Sequence, residues 1–385
     1  MTTAVEDPGA PAPGSAPDSG VVHGRASARK IGGGLVGMVV TGYVMYTVFM
    51  SFSILPEVYF DSAVLIGVVA VVVGVGGAAV LFYFLNMLVE GLPQRASLGL
   101  IPYAYLLPGL GFISLMLIYP ALQTINFSFA DQDSESYVGL ENYKTIFGSE
   151  AFRSAIFNNL LWLMIVPAVT VALGTIVAVL ADRLSTRGES VSKSVIFLPM
   201  AISFVGASAI WGLVYDFSIG DEQVGLLNAI WTTLGGEAQT WLSIETAKLN
   251  SILLMVILIW LQVGFAMILL SSAIKGVPED TIEAARIDGA SEWQIFWQVL
   301  IPQMKGTIIT VFITVLILVL KVFDIVYVLT NGRDNTDVIA NLFFKELFAR
   351  GNAGVASAIV VILLLAVTPV LIYQVRHFRQ EEMNR

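Results

Sequence analysis

Two places in this chain hold side chains whose types and spacing could do chemistry. The first is Lys321 with Asp324, an amine and a carboxylate three positions apart inside the apolar run ILVLKVFDIVYVLTNG. On a continuous helix that spacing puts both on one face. Ionisable groups deep in an apolar span are costly, so they face a partner or a cavity. Three chemistries fit: a structural ion pair, donors and acceptors for the hydroxyls of a passing solute, or a proton relay. The second place is TIEAARIDGA (281–290), where Glu283, Arg286, Asp288 and Gly289 stand between two greasy segments.

Other constellations fail on chemistry. Asp131, Asp133 and Glu135 share one polar stretch, which reads as a solvated loop. His23 and His377 are the only histidines, they lie near opposite ends, and there is no cysteine. That argues against a Ser-His-Asp set and against thiolate or imidazole metal sites. No run matches the phosphate-cradling G-x-x-x-x-G-K-[ST]; GSEAFRS (148–154) and GGEAQT (235–240) lack the lysine. The chain therefore reads as a non-enzyme with no cofactor of its own.

The elements that must position these residues are membrane helices. The 385 residues are 56% hydrophobic and 13% charged, against roughly 25% charged in soluble domains. About 20 apolar residues span a bilayer, and eight runs qualify: 32–54, 62–89, 100–125, 155–182, 192–217, 249–272, 306–330 and 353–376. The fold class expected is all-α, a polytopic membrane protein of about eight transmembrane helices. No convincing small-residue cleavage site follows the first run, which reads as an uncleaved span. The net charge of −9 and the lack of a basic cluster argue against nucleic acid. Lys and Arg collect in alternate connections, which puts both termini and the 274–307 loop in the cytoplasm. Residues 1–30 form a tail whose first twenty are rich in Pro, Gly, Ala and Ser and are expected to be disordered. Two helices follow over 31–99, then six over 100–376, then a short tail at 377–385. The small residues of GVVAVVVGVGGAAV (67–80) suit close helix packing.

The 274–307 loop has clear helix grammar. Pro278 suits a first helical turn, and Glu279 and Asp280 suit the positive end of its dipole. Gly289 suits a left-handed stop, and Ser291 with Gln294 forms a capping box for a second helix. Ile282, Ala284 and Ala285 make a small apolar face, while Trp293 and Trp297 sit one turn apart. Pro302 is expected to bend the chain before the next span. A small apolar face rimmed by acids suits insertion into a groove of another protein. The alternative, a helix lying on lipid, normally carries Lys and Arg on its polar face.

The spacing of this loop resembles the EAA motif of permease subunits in binding-protein-dependent ABC importers. That motif is Glu-Ala-Ala, three residues, Gly, nine residues, then Ile-x-Leu-Pro. Here stand Glu283, Ala284, Ala285, Gly289, Val299, Ile301 and Pro302, with Val299 and Ile301 as conservative departures. PYAYLLPGLGFISLMLIYPALQTINFSF (102–129), VGLENYKTIF (138–147), IFLPMAISFVGASAIWGLVYDF (196–217) and LKVFDIVYVLTNG (320–332) are similar to the carbohydrate branch, above all to alpha-glucoside permeases. The resemblance implies a type I importer core over 100–376, with 274–307 as the coupling loop. Glu283, Ala284, Ala285, Asp288, Gly289 and Pro302 would engage a cytoplasmic ATPase. It implies a second permease subunit, two ATPase subunits that hydrolyse ATP with Mg2+, an extracytoplasmic sugar-binding protein, and a bacterial inner (plasma) membrane. Val319 and Val322 are apolar where the maltose permease has asparagines, so its sugar contacts do not transfer. The local polar and aromatic residues for a sugar path are Ser203, Gln262, Lys321, Asp324 and Tyr327, with Trp211 and Tyr215 as weaker members.

Overall fold

A computed structural model describes residues 27–54, 62–219 and 225–383. The expected disordered tail lies outside the described residues, as does the connection between the first two helices. The described chain is helical, with one isolated antiparallel bridge between Ala130 and Tyr137. It divides into two compact units at Pro120–Ala121.

In the first unit, α1 (Ala28–Ile54) and α2 (Ala63–Gly91) pack as a hairpin. Lipid is as apolar as a leucine, so close backbone approach holds such helices together. The approach comes mainly from α1: a Cβ on Gly34 would lie 2.7 Å from Cβ of Leu88, and one on Gly37 2.1 Å from the ring of Phe84. On α2 the small residues contribute unevenly: a Cβ on Gly77 would lie 2.4 Å from Met45 Sδ, whereas Gly67 and Gly76 have nothing within 4 Å. Lys30 and Glu90 pair at 3.0 Å at the open end of the hairpin. A continuous helical run follows as α3 (Gln94–Ile113), a π-turn (Ser114–Ile118) and α4 (Tyr119–Phe127). The boundary between the units falls inside it.

The second unit continues with α5 (Glu141–Gly148) and α6 (Glu150–Asp182), whose first turn Ser149 caps by accepting from Phe152 N–H. Then come α7 (Thr186–Phe197), α8 (Phe204–Val214), α9 (Leu226–Thr233) and α10 (Leu249–Lys275). A charged hairpin follows, built of α11 (Glu279–Ile287), α12 (Glu292–Ile295), a π-turn (Phe296–Leu300) and α13 (Ile301–Gln303). The chain ends with α14 (Lys305–Leu320), α15 (Asp324–Leu329), α16 (Ile339–Phe344) and α17 (Ala353–Met383). More than half of the apolar window of α10 is buried, so α10 is the hub. Its Leu254, Leu258 and Leu261 pack with Trp162 and Val166 of α6 and with Val311 and Val315 of α14.

Among the described residues, six helices are long and apolar enough to cross a membrane, and two bent pairs raise the total to eight. The expected fifth span, 192–217, is not straight: α7 and α8 meet at 102°. Pro199 lies in the single 3-10 turn between them, and Ser203 restarts the helix as the cap of α8. The second bent pair joins the 292–303 helix to α14 at 71°. That bend falls at Met304, two residues after Pro302, because the proline sits in the first turn of α13, where its missing N–H is harmless.

At the end of this unit opposite the hairpin, buried asparagines tie the loops down. Asn158 donates to the carbonyls of Asn335 (2.9 Å) and Asp337 (2.8 Å), and Asn250 donates to that of Asp334 (2.6 Å). Asp131 closes a turn by accepting from Glu135 N–H at 2.9 Å. Backbone hydrogen bonds from Ser136 and Glu135 hold its carboxyl below the usual carboxylate range. The acidic loop thus owes one of its three carboxylates to local turn structure.

Candidate functional site: a charged hairpin and a broken helix

The hairpin is built by its caps. Pro278 is the N-cap of α11, just before the first turn rather than within it, and the acids Glu279 and Asp280 occupy that turn. At the far end Gly289 has φ +81, a conformation glycine adopts without the steric cost other residues meet. Gly289 N–H bonds the Arg286 carbonyl and Ala290 N–H bonds that of Ala285, the double closure of a Schellman turn. Asp288 is the C-cap. Ser291 and Gln294 form the reciprocal capping box: Gln294 N–H donates to Ser291 Oγ, and Ser291 N–H donates to Gln294 Oε1 at 2.8 Å.

Packing divides the expected small apolar face of α11. Ile282 packs against the main core and Ala285 is half-buried beside it, whereas Ala284 turns outward. The outward face is Asp280, Glu283, Ala284 and Ile287, spaced as i, i+3, i+4 and i+7. Ile287 is 85% exposed and was not singled out by the sequence reading, although its spacing from Asp280 and Glu283 carried the signal. Arg286 does not pair with Glu283. It reaches Glu292 at 3.0 Å, and Glu292 also lies 3.7 Å from Arg183 at the end of α6. Among the described residues the Glu283 side chain has no hydrogen bond or ion pair. Trp293, Phe296 and Trp297 form an aromatic group on the second arm and line an apolar groove of about 650 Å3 against α6.

The second site is a break, not a continuous helix face. α14 ends at Leu320, Lys321 is its C-cap (φ −112, ψ 26), and α15 begins at Asp324. The shared face expected of Lys321 and Asp324 is therefore absent. Helix dipoles give the physical reason: Lys321 sits at the negative end of α14 and Asp324 at the positive end of α15. Among the described residues neither side chain forms an ion pair or a hydrogen bond. Both line a cavity of about 130 Å3 with Phe204, Leu258, Leu318, Val322, Phe323 and Ile325. Non-helical backbone inside an apolar bundle belongs beside protein or a cavity.

The other expected path residues scatter. Tyr327 lies on Phe323, with ring centroids 5.0 Å apart, and meets Phe344 edge-on at 5.0 Å. Phe344 continues the shelf to Phe348 at 4.7 Å. The phenylalanines of this shelf went unnoticed in the sequence because they belong to two separate helices. Ser203 caps α8, its Oγ accepting Gly206 N–H at 3.1 Å, which leaves its O–H able to donate. Gln262 is buried on α10 and does not line the cavity. Trp211 packs with Tyr215 and Trp260, and Tyr215 donates to the Leu253 carbonyl at 3.0 Å.

The bundle thus carries a capped, charged hairpin at one end and a broken helix beside a cavity. Residues 170–380 match the family described as binding-protein-dependent transport system inner membrane component. The chain belongs to that family and is a multi-pass membrane permease. It is 51% identical over 282 residues to the osmoprotective compounds uptake permease protein GgtC of Synechocystis sp., covering 73% of this chain and 100% of that protein. It is 43% identical over 329 residues to the alpha-glucoside transport system permease protein AglF of Rhizobium meliloti, covering 82% and 97%. Among solved structures it is similar to a chain of a bacterial ABC transporter that imports the polysaccharide alginate, with TM-score 0.63, 21% identity and coverage of 72% and 95%. That likeness concerns the fold.

Proposed function

We propose that this chain is the permease of an ATP-driven ABC importer for a carbohydrate, an alpha-glucoside or disaccharide, and that α11 is its coupling helix. The names of the relatives support the substrate class, one being an alpha-glucoside permease at 43% identity. The observation that carries the coupling role is the outward face of α11, where Glu283 and Ile287 stand exposed with Glu283 unpaired among the described residues. An acid beside an exposed aliphatic side chain fits a basic, apolar-floored groove on another protein. Ala284, Ala285, Asp288, Gly289 and Pro302 set the shape that presents this face.

In this reading a sugar-loaded binding protein docks outside, and two cytoplasmic ATPase subunits close on ATP and Mg2+. The hairpin carries their motion into the bundle, which contains a path shared with a second permease subunit. Both termini lie in the cytoplasm. The break at Lys321 and Asp324, with the shelf of Phe323 and Tyr327, is the part of that path this chain supplies. Carboxylates and amines bind hydroxyls, and aromatic faces stack on sugar rings. Residues 31–99 are in this reading a helical addition to a six-helix core at 100–376, although α3, which runs across that boundary, falls in the same compact unit as α1 and α2.

The test is to purify the assembled transporter and measure ATPase activity with its binding protein across a panel of alpha-glucosides and disaccharides. Stimulation by one of them, with matching uptake, supports the reading. Uptake that survives loss of the ATPase and collapses with an ionophore would favour an ion-coupled carrier centred on Lys321 and Asp324. Partner recruitment without any transport would favour a membrane scaffold.

A further inference from the structure

Four charged side chains meet where α6, α7 and α10 come together, at the end of the bundle that carries the hairpin. Asp182 is the last residue of α6, Glu189 and Lys193 lie one turn apart on α7, and Lys275 is the last residue of α10. Glu189 Oε1 accepts from Lys193 Nζ and from Lys275 Nζ, each at 2.5 Å. Asp182 Oδ1 lies 3.5 Å from Lys275 Nζ and 3.9 Å from Lys193 Nζ. Lys193 also donates to the buried hydroxyl of Ser271, one turn before Lys275. Two amines and two carboxylates balance. Three of the four side chains are no more than 22% exposed, so salt screens them weakly.

A second joint pins α7 to α10 near its other end. A Cβ on Gly264 would lie 2.4 Å from the carbonyl oxygen of Ile196 and 2.6 Å from Cα of Phe197. Only glycine allows that approach. With joints near both ends, α7 moves with α10 or not at all.

The two ends of this clamp lead to the two sites. From Lys275 only Gly276, Val277 and Pro278 separate α10 from α11, and Val277 is buried in the main core. From Phe197 one short turn and the 102° bend lead to Phe204, which lines the cavity with Lys321 and Asp324. We infer that Glu189 is a positioning residue: it fastens the entry of the hairpin to α7, so that displacement of α11 reaches Phe204 at the cavity wall. This inference rests on α11 being the coupling helix. Without the Glu189 carboxylate, Lys275 retains only the looser contact with Asp182, and the entry is free to hinge at Gly276.

The chain has no cysteine, so spin labels can be placed at Ser190→Cys on α7 and Thr281→Cys on α11 in the full transporter. A single narrow distance distribution is expected for the otherwise native chain, and a broad one without a single maximum for Glu189→Gln. Lys275→Gln removes the other half of the contact at a half-exposed position and is expected to broaden it likewise, while Glu189→Asp retains the narrow form. In proteoliposomes, sugar taken up per ATP is expected to fall about fivefold or more in Glu189→Gln, the low end of a site-to-site coupling energy, at unchanged recovery of the complex. Distributions that stay narrow in both neutral variants would overturn the inference, as would lower recovery with uptake per ATP unchanged. The reading of α11 fails separately, if Glu283→Lys leaves the ATPase bound.

Discussion

The hairpin at 278–303 and the break at 321–323 make an instructive contrast. Both are places where a long helix stops, and both put charge at a helix end. The hairpin is exposed and its geometry is dictated by local backbone chemistry: a left-handed glycine, a Schellman closure and a capping box. The break borders a cavity lined by Leu258, Leu318 and Phe204, and its two charges line that cavity without pairing with each other, Lys321 exposed and Asp324 half-buried. In the proposed reading, one end is gripped from outside by a partner, while the other holds the passing solute. Substitutions at the hairpin should therefore change who binds, and substitutions at the break what passes.

The largest effect is expected from Glu283→Lys. Reversing one charge of a pair buried at an interface costs about 3 kcal/mol or more, so ATPase co-purifying with the permease should fall about 100-fold, with membrane insertion unchanged by fractionation. Recovery at native levels would remove the hairpin's side of the contrast. Next comes Asp324→Asn. A hydrogen bond to a charged group is worth about 1.5–3 kcal/mol, so half-saturation of sugar uptake should rise about tenfold or more while the yield of complex stays level. A changed yield with unaltered affinity would make Asp324 a packing residue.

Gly289→Ala should cost about 1–2 kcal/mol, because an L side chain is forced into a left-handed conformation. Uptake should drop several-fold without a change in half-saturation, which kinetic assay of vesicles would reveal. The smallest effect is Ser203→Ala. Loss of the cap should lower thermal stability of the complex by about 1 kcal/mol and leave sugar affinity alone. A shift in affinity would give Ser203 a place in the path beyond the capping bond it accepts from Gly206 N–H.

The sequence disclosed these two regions unequally, for physical reasons. Gly289, Ser291 and Gln294 obey rules that act within a few residues, so the hairpin's turns were readable before any tertiary contact was known. Which face of α11 points outward depends on Ile282 packing into the core, and that left Ile287 unnoticed. Hydropathy marked eight apolar runs, yet it is blind to a bend when both halves are apolar. Pro199 with the capping Ser203 was the available sign of the 102° turn, and the charges of Lys321 and Asp324 were the sign of the break. The joints between helices at Glu189 and Gly264 could not be read, since Lys275 and Ile196 lie on other helices far along the chain, and Lys193, one turn from Glu189, marks only a pair within α7.

The central claim is that the outward face of α11 is seated in an ATPase partner. Because the chain has no cysteine, Ile287→Cys can carry a photoactivatable benzophenone as this chain's sole label in the assembled transporter. Irradiation should join this chain to an ATPase subunit, and the adduct should weaken when Glu283→Lys is added. Adducts with lipid alone, or none at all while the transporter is active, would contradict the account.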